Sequence, residues 1–120
     1  MLIVDTYLKN SDIQGIGVFS LHCIPQNTII WKFDSIIDAI FDCNVVKKYN
    51  QLEKYHWKNS KGECIVPLDN DKYMNHSNFP NFKLIDDYYG IVVKDIEKNE
   101  ELTIDYKTLI PKEEWEDYYE

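Results

Sequence analysis

A mainly β, β-rich α+β domain is the fold class that this sequence predicts, on three observations. Short runs rich in β-branched and aromatic residues recur along the chain, separated by Gly, Pro, Asn and Asp clusters. A single stretch, residues 42–57, places apolar residues at helical spacing. The length of 120 residues suits one core and is short for two, so residues 1–120 read as one domain.

In chain order, residues 2–8 have strand composition, and Ser11-Asp12-Ile13-Gln14-Gly15 interrupts them. A second strand is expected over residues 18–21. Pro25-Gln26-Asn27 is a turn, after which Ile29, Trp31 and Phe33 alternate as in a strand buried on one face. Asp42 then serves as the N-cap of one amphipathic helix carrying Val45, Tyr49, Leu52 and His56 and ending near Trp57. Beyond the polar loop Asn59-Ser60-Lys61-Gly62, strands are expected over residues 64–67, 82–85, 89–94 and 101–104. Pro111, with Glu113 and Glu114 behind it, suits the start of a short final helix reaching Tyr119. Asn27 and Asn99 each stand where a turn needs a positive φ, which Asn tolerates better than most residues.

The net charge is −8 and every basic residue is Lys. That balance repels phosphate backbones, and without Arg there is no bidentate fork to read them, so nucleic acid is an unsuitable partner. An acidic surface suits a basic protein segment, or simply solubility. Three cysteines, Cys23, Cys43 and Cys64, lie far apart and include no Cys-x-x-Cys pair, which suits reduced thiols and no structural zinc. The first residues lack the basic start of a signal peptide, and no apolar run approaches membrane-spanning length. The expectation is an intracellular protein, in cytoplasm or nucleus, without a membrane partner.

Local motifs taken singly say little. Asn75-His76-Ser77 spells a glycosylation acceptor but has no secretory context. Cys64 with His56 or His76 as a nucleophile and base is no more specific than chance. His22, His56 and His76 show no metal-ligand spacing. Gly15-Ile16-Gly17 lacks the third glycine of a dinucleotide fingerprint and is a tight turn by itself.

In series they say more. Gly15-Ile16-Gly17-Val18-Phe19, then Tyr73-Met74-Asn75-His76-Ser77-Asn78-Phe79-Pro80-Asn81, then Glu100-Glu101-Leu102-Thr103-Ile104-Asp105-Tyr106 resembles the SET-domain protein lysine methyltransferases, most of all the minimal SET domains of viruses and bacteria. The resemblance implies several small sheets with a C-terminal pseudoknot, in which the Asn-His-Ser segment crosses the C-terminal motif. It implies S-adenosylmethionine as cofactor, bound by Gly15, Ile16, Gly17, Asn75 and His76, with Tyr55 or Trp57 as the assisting aromatic. It implies Tyr106 as the catalytic tyrosine, orienting a lysine amine that enters through a narrow channel.

Departures from the family pattern shape the rest. No cysteine cluster follows Tyr106, so Trp115, Tyr118 and Tyr119 are the aromatics available to close the lysine channel, a packed C-terminal helix being the alternative. Ile104 stands where relatives often carry Phe or Tyr; lacking a hydroxyl to hold water, it leans towards addition of more than one methyl. The substrate implied is an exposed lysine of a histone or another basic protein segment. A SET-like module that binds a basic partner without catalysis is the rival from another class. The chain is expected as a monomer, or as a homodimer that completes its own channel.

Overall fold

A computed structural model describes residues 1–114. Ten short strands form three small sheets, and the connections between them, rather than long helices, make up the remainder. The first sheet contains β1 (Thr6–Asn10), β2 (Ile16–Ser20), β10 (Glu101–Ile104) and β7 (Asn75–His76), in that order. The second orders β3 (Ile29–Lys32), β9 (Tyr89–Val92) and β8 (Phe82–Leu84). The third orders β4 (Asp38–Phe41), β6 (Cys64–Pro67) and β5 (Trp57–Lys58). All pairings are antiparallel except β7 with β10, where Thr103 faces Asn75 and Ile104 faces His76 in parallel. Segment 75–77 therefore lies alongside the C-terminal motif, as the resemblance implies.

One core joins the sheets. Val18, Ile30, Trp31, Trp57, Ile65, Val92, Ile96 and Leu102 are buried together, drawn from every sheet. A second cluster under the helical segment gathers Val46, Cys64 and Val66. The outline of short strands and turns thus follows the sequence pattern, including positive φ at Asn27 (72°) and Asn99 (68°).

Several boundaries differ for identifiable reasons. The strand expected over residues 2–8 is divided: Leu2 bridges to Trp31 of β3, while β1 begins at Thr6 and pairs with β2. A register shift between Ile29 and Trp31 breaks the alternation of β3, so Ile30 and Trp31 are both buried and Ile29 is left outside. The single helix over 42–57 becomes two short ones, α1 (Cys43–Lys48) and α2 (Asn50–Glu53). Asp42 caps α1 as expected, its carboxylate accepting from Asn44 N at 2.7 Å. Tyr49 adopts extended backbone between the two (φ −123°, ψ 112°). Trp57 leaves the helical run altogether, because pairing with Ile65 and an edge-on contact with Trp31 at 5.8 Å place it in the core. Strand β4 was not expected; its first residue is the buried Asp38. The reduced thiols expected at Cys43 and Cys64 are corrected: the two sulfurs form a disulfide joining α1 to β6, while Cys23 is free and exposed. Of the final helix, the described residues show one 3-10 turn, Lys112–Glu114.

Asn81 ties the second sheet to the first. It is 3% exposed, donates to Glu101 O at 2.8 Å and to Glu100 Oε2 at 3.1 Å, and accepts from Thr103 N at 2.8 Å. Asn81→Ala leaves these buried groups unpaired and is expected to destabilise the protein by about 1–3 kcal/mol, read from the urea midpoint at unchanged slope.

Candidate functional site

Two glycines shape the first motif for different reasons. Gly15 has φ +47° and closes the turn in which Ser11 N donates to its carbonyl at 2.7 Å. Gly17 faces the Glu101 carboxylate so closely that any Cβ would run into it. That carboxylate is fully bonded: Ser11 Oγ lies 2.7 and 2.9 Å from its two oxygens, and Asn75 Nδ2 donates to Oε2 at 2.9 Å. Asn75 Nδ2 also donates to Gln14 O at 3.0 Å and lies 3.3 Å from Ile16 O. One buried side-chain amide thus joins the Gly15–Gly17 turn, β7 and β10.

His76, next along β7, connects this crossing to Tyr106. Tyr106 N donates to His76 Nδ1 at 3.0 Å, so that ring nitrogen accepts and the hydrogen sits on Nε2, which donates to Asn78 Oδ1 at 2.9 Å. Asp105 lies 3.6 Å from the same Nδ1, but an ion pair there would need the position that the Tyr106 amide already occupies. Asp105 instead caps the 3-10 turn Tyr106–Thr108 through Lys107 N at 3.0 Å. The His76 and Tyr106 rings are 5.3 Å apart.

The Tyr106 hydroxyl donates to Met74 O at 2.7 Å. Burial pushes its phenol above the ordinary range, and the nearby Glu101 and Tyr55 add to the shift. Beside it opens a cavity of about 330 Å³, walled by Trp31, Trp57, Phe82, Ile104 and Tyr106. That volume is at the lower end of the range for small-molecule and side-chain sites, roughly 300–1,000 Å³. The rim is different in character. Tyr55 packs edge-on to Tyr73 at 5.7 Å, with Lys54 Nζ 5.3 Å and Lys72 Nζ 5.9 Å from the Tyr55 ring centre.

The site residues named from sequence therefore fall into two groups. Tyr55, Ile104 and Tyr106 line the cavity together. Gly15, Ile16, Gly17, Asn75 and His76 gather at the β2–β10–β7 crossing, outside its walls, and His76 bridges the two groups through Tyr106. Trp115, Tyr118 and Tyr119 lie outside the described residues. Among those described, Leu109 and Ile110 contribute apolar wall to the cavity. They are held by Lys58, whose backbone donates to Leu109 O at 2.9 Å and whose ammonium meets Glu114 at 2.6 Å. Sequence reasoning missed this clamp, since Lys58 and Glu114 are 56 residues apart. It also missed the Met74 carbonyl, although Met74 belongs to the motif itself.

The hydroxyl bond and burial both hold Tyr106 neutral. Its contribution to stability is complete below about pH 10 and is lost as pH rises through its raised folded-state value. Subtracting the ultraviolet titration of Tyr106→Phe from that of the wild type should leave one phenol ionising above that ordinary value. The stability of the wild type should also fall more steeply in that alkaline window than that of the variant.

Comparison with known proteins agrees with this geometry. The family model described as SET domain matches residues 15–107. The crystal structure of a Plasmodium falciparum protein assigned as a candidate histone methyltransferase is similar at 27% identity and TM-score 0.63, over 86% of this chain and 93% of that one. Chaetomium thermophilum Polycomb Repressive Complex 2 bound to S-adenosylmethionine, in an autoinhibited conformation, is similar at 18% identity and TM-score 0.71, over 91% of this chain and 16% of that one. Its apo, autoinhibited structure gives 16% identity and TM-score 0.73 over the same shares. At these identities the two fungal structures speak to the fold, and the family match spans well over half of the chain. The chain belongs to the SET-domain family.

Proposed function

We propose that the protein is a lysine methyltransferase that uses S-adenosylmethionine and acts on a lysine in a basic or flexible protein segment. The observation that carries the reading is the Tyr106 hydroxyl, fixed at 2.7 Å to Met74 O on the wall of an apolar cavity. An amine reaching that wall meets an oriented phenol oxygen, which can accept from its N–H and direct the nitrogen lone pair. The aromatic and aliphatic part of the wall beside Tyr106 favours the neutral amine, while Glu53 and Asp71 in the same lining favour the ammonium. A lysine with pKa about 10.4 otherwise costs about 4–5 kcal/mol to deprotonate at pH 7, and desolvation lowers that cost by disfavouring the ammonium. Such a site works by orientation and exclusion of water, not by a strong acid or base.

The residues present suit the cofactor. Space beside Gly15 is open, Ile16 is exposed, and the His76 side chain is 36% exposed on the same crossing. Main chain at the Gly15–Gly17 turn and at Asn75 and His76 would hold it, while the Asn75 amide is engaged in the fold. When bound, S-adenosylmethionine supplies the sulfonium methyl group. Tyr55 and Trp57, the two candidate assisting aromatics, both line the cavity on the Tyr106 side. Ile104 brings no hydroxyl to the cavity, which supports more than one round of methylation. The net charge of −8 supports a basic substrate, and the Plasmodium protein's assignment supports a histone among the candidates.

The test incubates the protein with labelled cofactor and a panel of histones and cell lysate, and locates label by mass spectrometry. Tyr106→Phe should lower turnover by about 10²-fold with cofactor affinity retained, whereas His76→Ala should weaken cofactor binding first. Full turnover in Tyr106→Phe, or cofactor binding with no labelled lysine across the panel, would count against the assignment.

A further inference from the structure

We propose that Asp38, Asp69 and Asp71 form a binding site for an oxygen-preferring divalent cation of the Ca²⁺, Mn²⁺ or Mg²⁺ class. One carboxylate oxygen from each lies within 4.8 Å of the others. Asp38 opens β4 and is fully buried, while Asp69 and Asp71 flank the start of the 3-10 turn Asn70–Tyr73. The sequence gives no hint of the cluster, because residue 38 is about thirty positions from the other two and metal spacing is usually sought among His and Cys.

The three carboxylates share one bonding pattern. Each has its Oδ2 fixed by protein donors: Asp38 by the Met1 ammonium, an ion pair at 2.7 Å, and by Asp34 N at 2.8 Å, Asp69 by Leu2 N at 2.9 Å, and Asp71 by Trp31 Nε1 at 2.8 Å. Each leaves its Oδ1 buried and without a hydrogen-bond partner, and these three are the buried side-chain oxygens of that kind among the described residues. At Glu101, by contrast, both oxygens are bonded. A buried unpaired carboxylate oxygen is unfavourable, and three in one place also repel.

Ligand chemistry narrows the occupant. All three donors are hard oxygens with no His or Cys beside them, which suits Ca²⁺, Mn²⁺ or Mg²⁺ over zinc. Oxygens on one Ca²⁺ at about 2.3–2.6 Å lie at most roughly 5 Å apart, and the cluster meets that limit. Asp69 and Asp71 are only partly buried as residues, whereas the unpartnered oxygens themselves are buried. A proton is the competing occupant: burial and Asp69 push the Asp71 carboxyl well above its ordinary range. One proton shared between Asp71 and Asp69, together with the Met1 ammonium on Asp38 Oδ2, still leaves Asp38 Oδ1 without a partner, and a cation held by one oxygen from each carboxylate would neutralise the cluster further.

The position links the cluster to the cavity. Asp71 lines it, Trp31 is bonded to Asp71 and lines it too, and Met74 N donates to Asp71 O at 3.0 Å. A cation here clamps the turn that delivers Met74, and hence the acceptor of the Tyr106 hydroxyl.

The full chain, freed of metal by chelation at pH 7, is titrated with Tb³⁺ under tryptophan excitation, since Trp31 touches the cluster. Sensitised emission that Ca²⁺ or Mn²⁺ displaces is expected, together with a thermal midpoint raised by Ca²⁺, Mn²⁺ or Mg²⁺ above a NaCl control of equal ionic strength. Asp69→Asn, which keeps side-chain shape, should lower the affinity at least tenfold, and Asp69→Asn/Asp71→Asn should abolish both signals. Asp12→Asn, at an exposed carboxylate outside the cluster, should change neither. No wild-type response to any of the four ions overturns the proposal, irrespective of whether the variants fold; so does a response of equal size in folded Asp69→Asn.

Discussion

The side-chain amide of Asn75 donates to Gln14 O, to the Glu101 carboxylate and, at longer range, towards Ile16 O, all within the crossing of β2, β10 and β7. Two protons serve three acceptors there, and burial makes the loss of any of them expensive. The arrangement explains Gly17, whose missing Cβ makes room for Glu101. It explains the shortness of β7, since two residues of parallel pairing suffice when a side chain supplies the remaining attachment. His76 follows Asn75 directly, so fixing one residue orients the other, and through His76 Nδ1 the Tyr106 backbone is held as well.

From that crossing the site divides into an open side and a closed side. On the open side, the Gly15 turn and His76 present accessible surface. On the closed side, the Tyr106 hydroxyl meets the Met74 carbonyl beside an apolar cavity. Met74 and Asn75 are consecutive, so one extended segment serves both sides. A transfer reaction between two ligands entering from different directions needs such a partition. On the cavity side the buried rings of Trp31 and Phe82 from the second sheet and Trp57 from the third wall off solvent.

The sequence was most legible where chemistry is encoded by adjacent residues. The three motifs located the crossing and Tyr106, and strand β10 falls on residues 101–104 as expected. The turn asparagines were readable because positive φ selects for them. It was least legible where partners are distant. Periodicity through Val45, Tyr49, Leu52 and His56 suggested one helix, but the demand for Trp57 beside Trp31 and Ile65 ended it early. The bulge in β3 that buries both Ile30 and Trp31 has no local signal, nor does the convergence of Asp38 with Asp69 and Asp71. The Cys43–Cys64 bond was likewise hidden, because spacing alone does not distinguish a disulfide from two thiols.

Native-state hydrogen exchange on the wild type and Asn75→Ala addresses the role of the crossing most directly. In the wild type the amides of Thr103, bonded to Asn81, of Ser77, bonded to Ile104 O, and of Tyr106, bonded to His76, should exchange together among the slowest. In Asn75→Ala the amides of Ser77 and Tyr106 should lose protection by more than the global destabilisation, while Val92 in the second sheet follows the global change alone. Equal protection loss at all of these amides, or none at Ser77 and Tyr106, would contradict an Asn75-centred site.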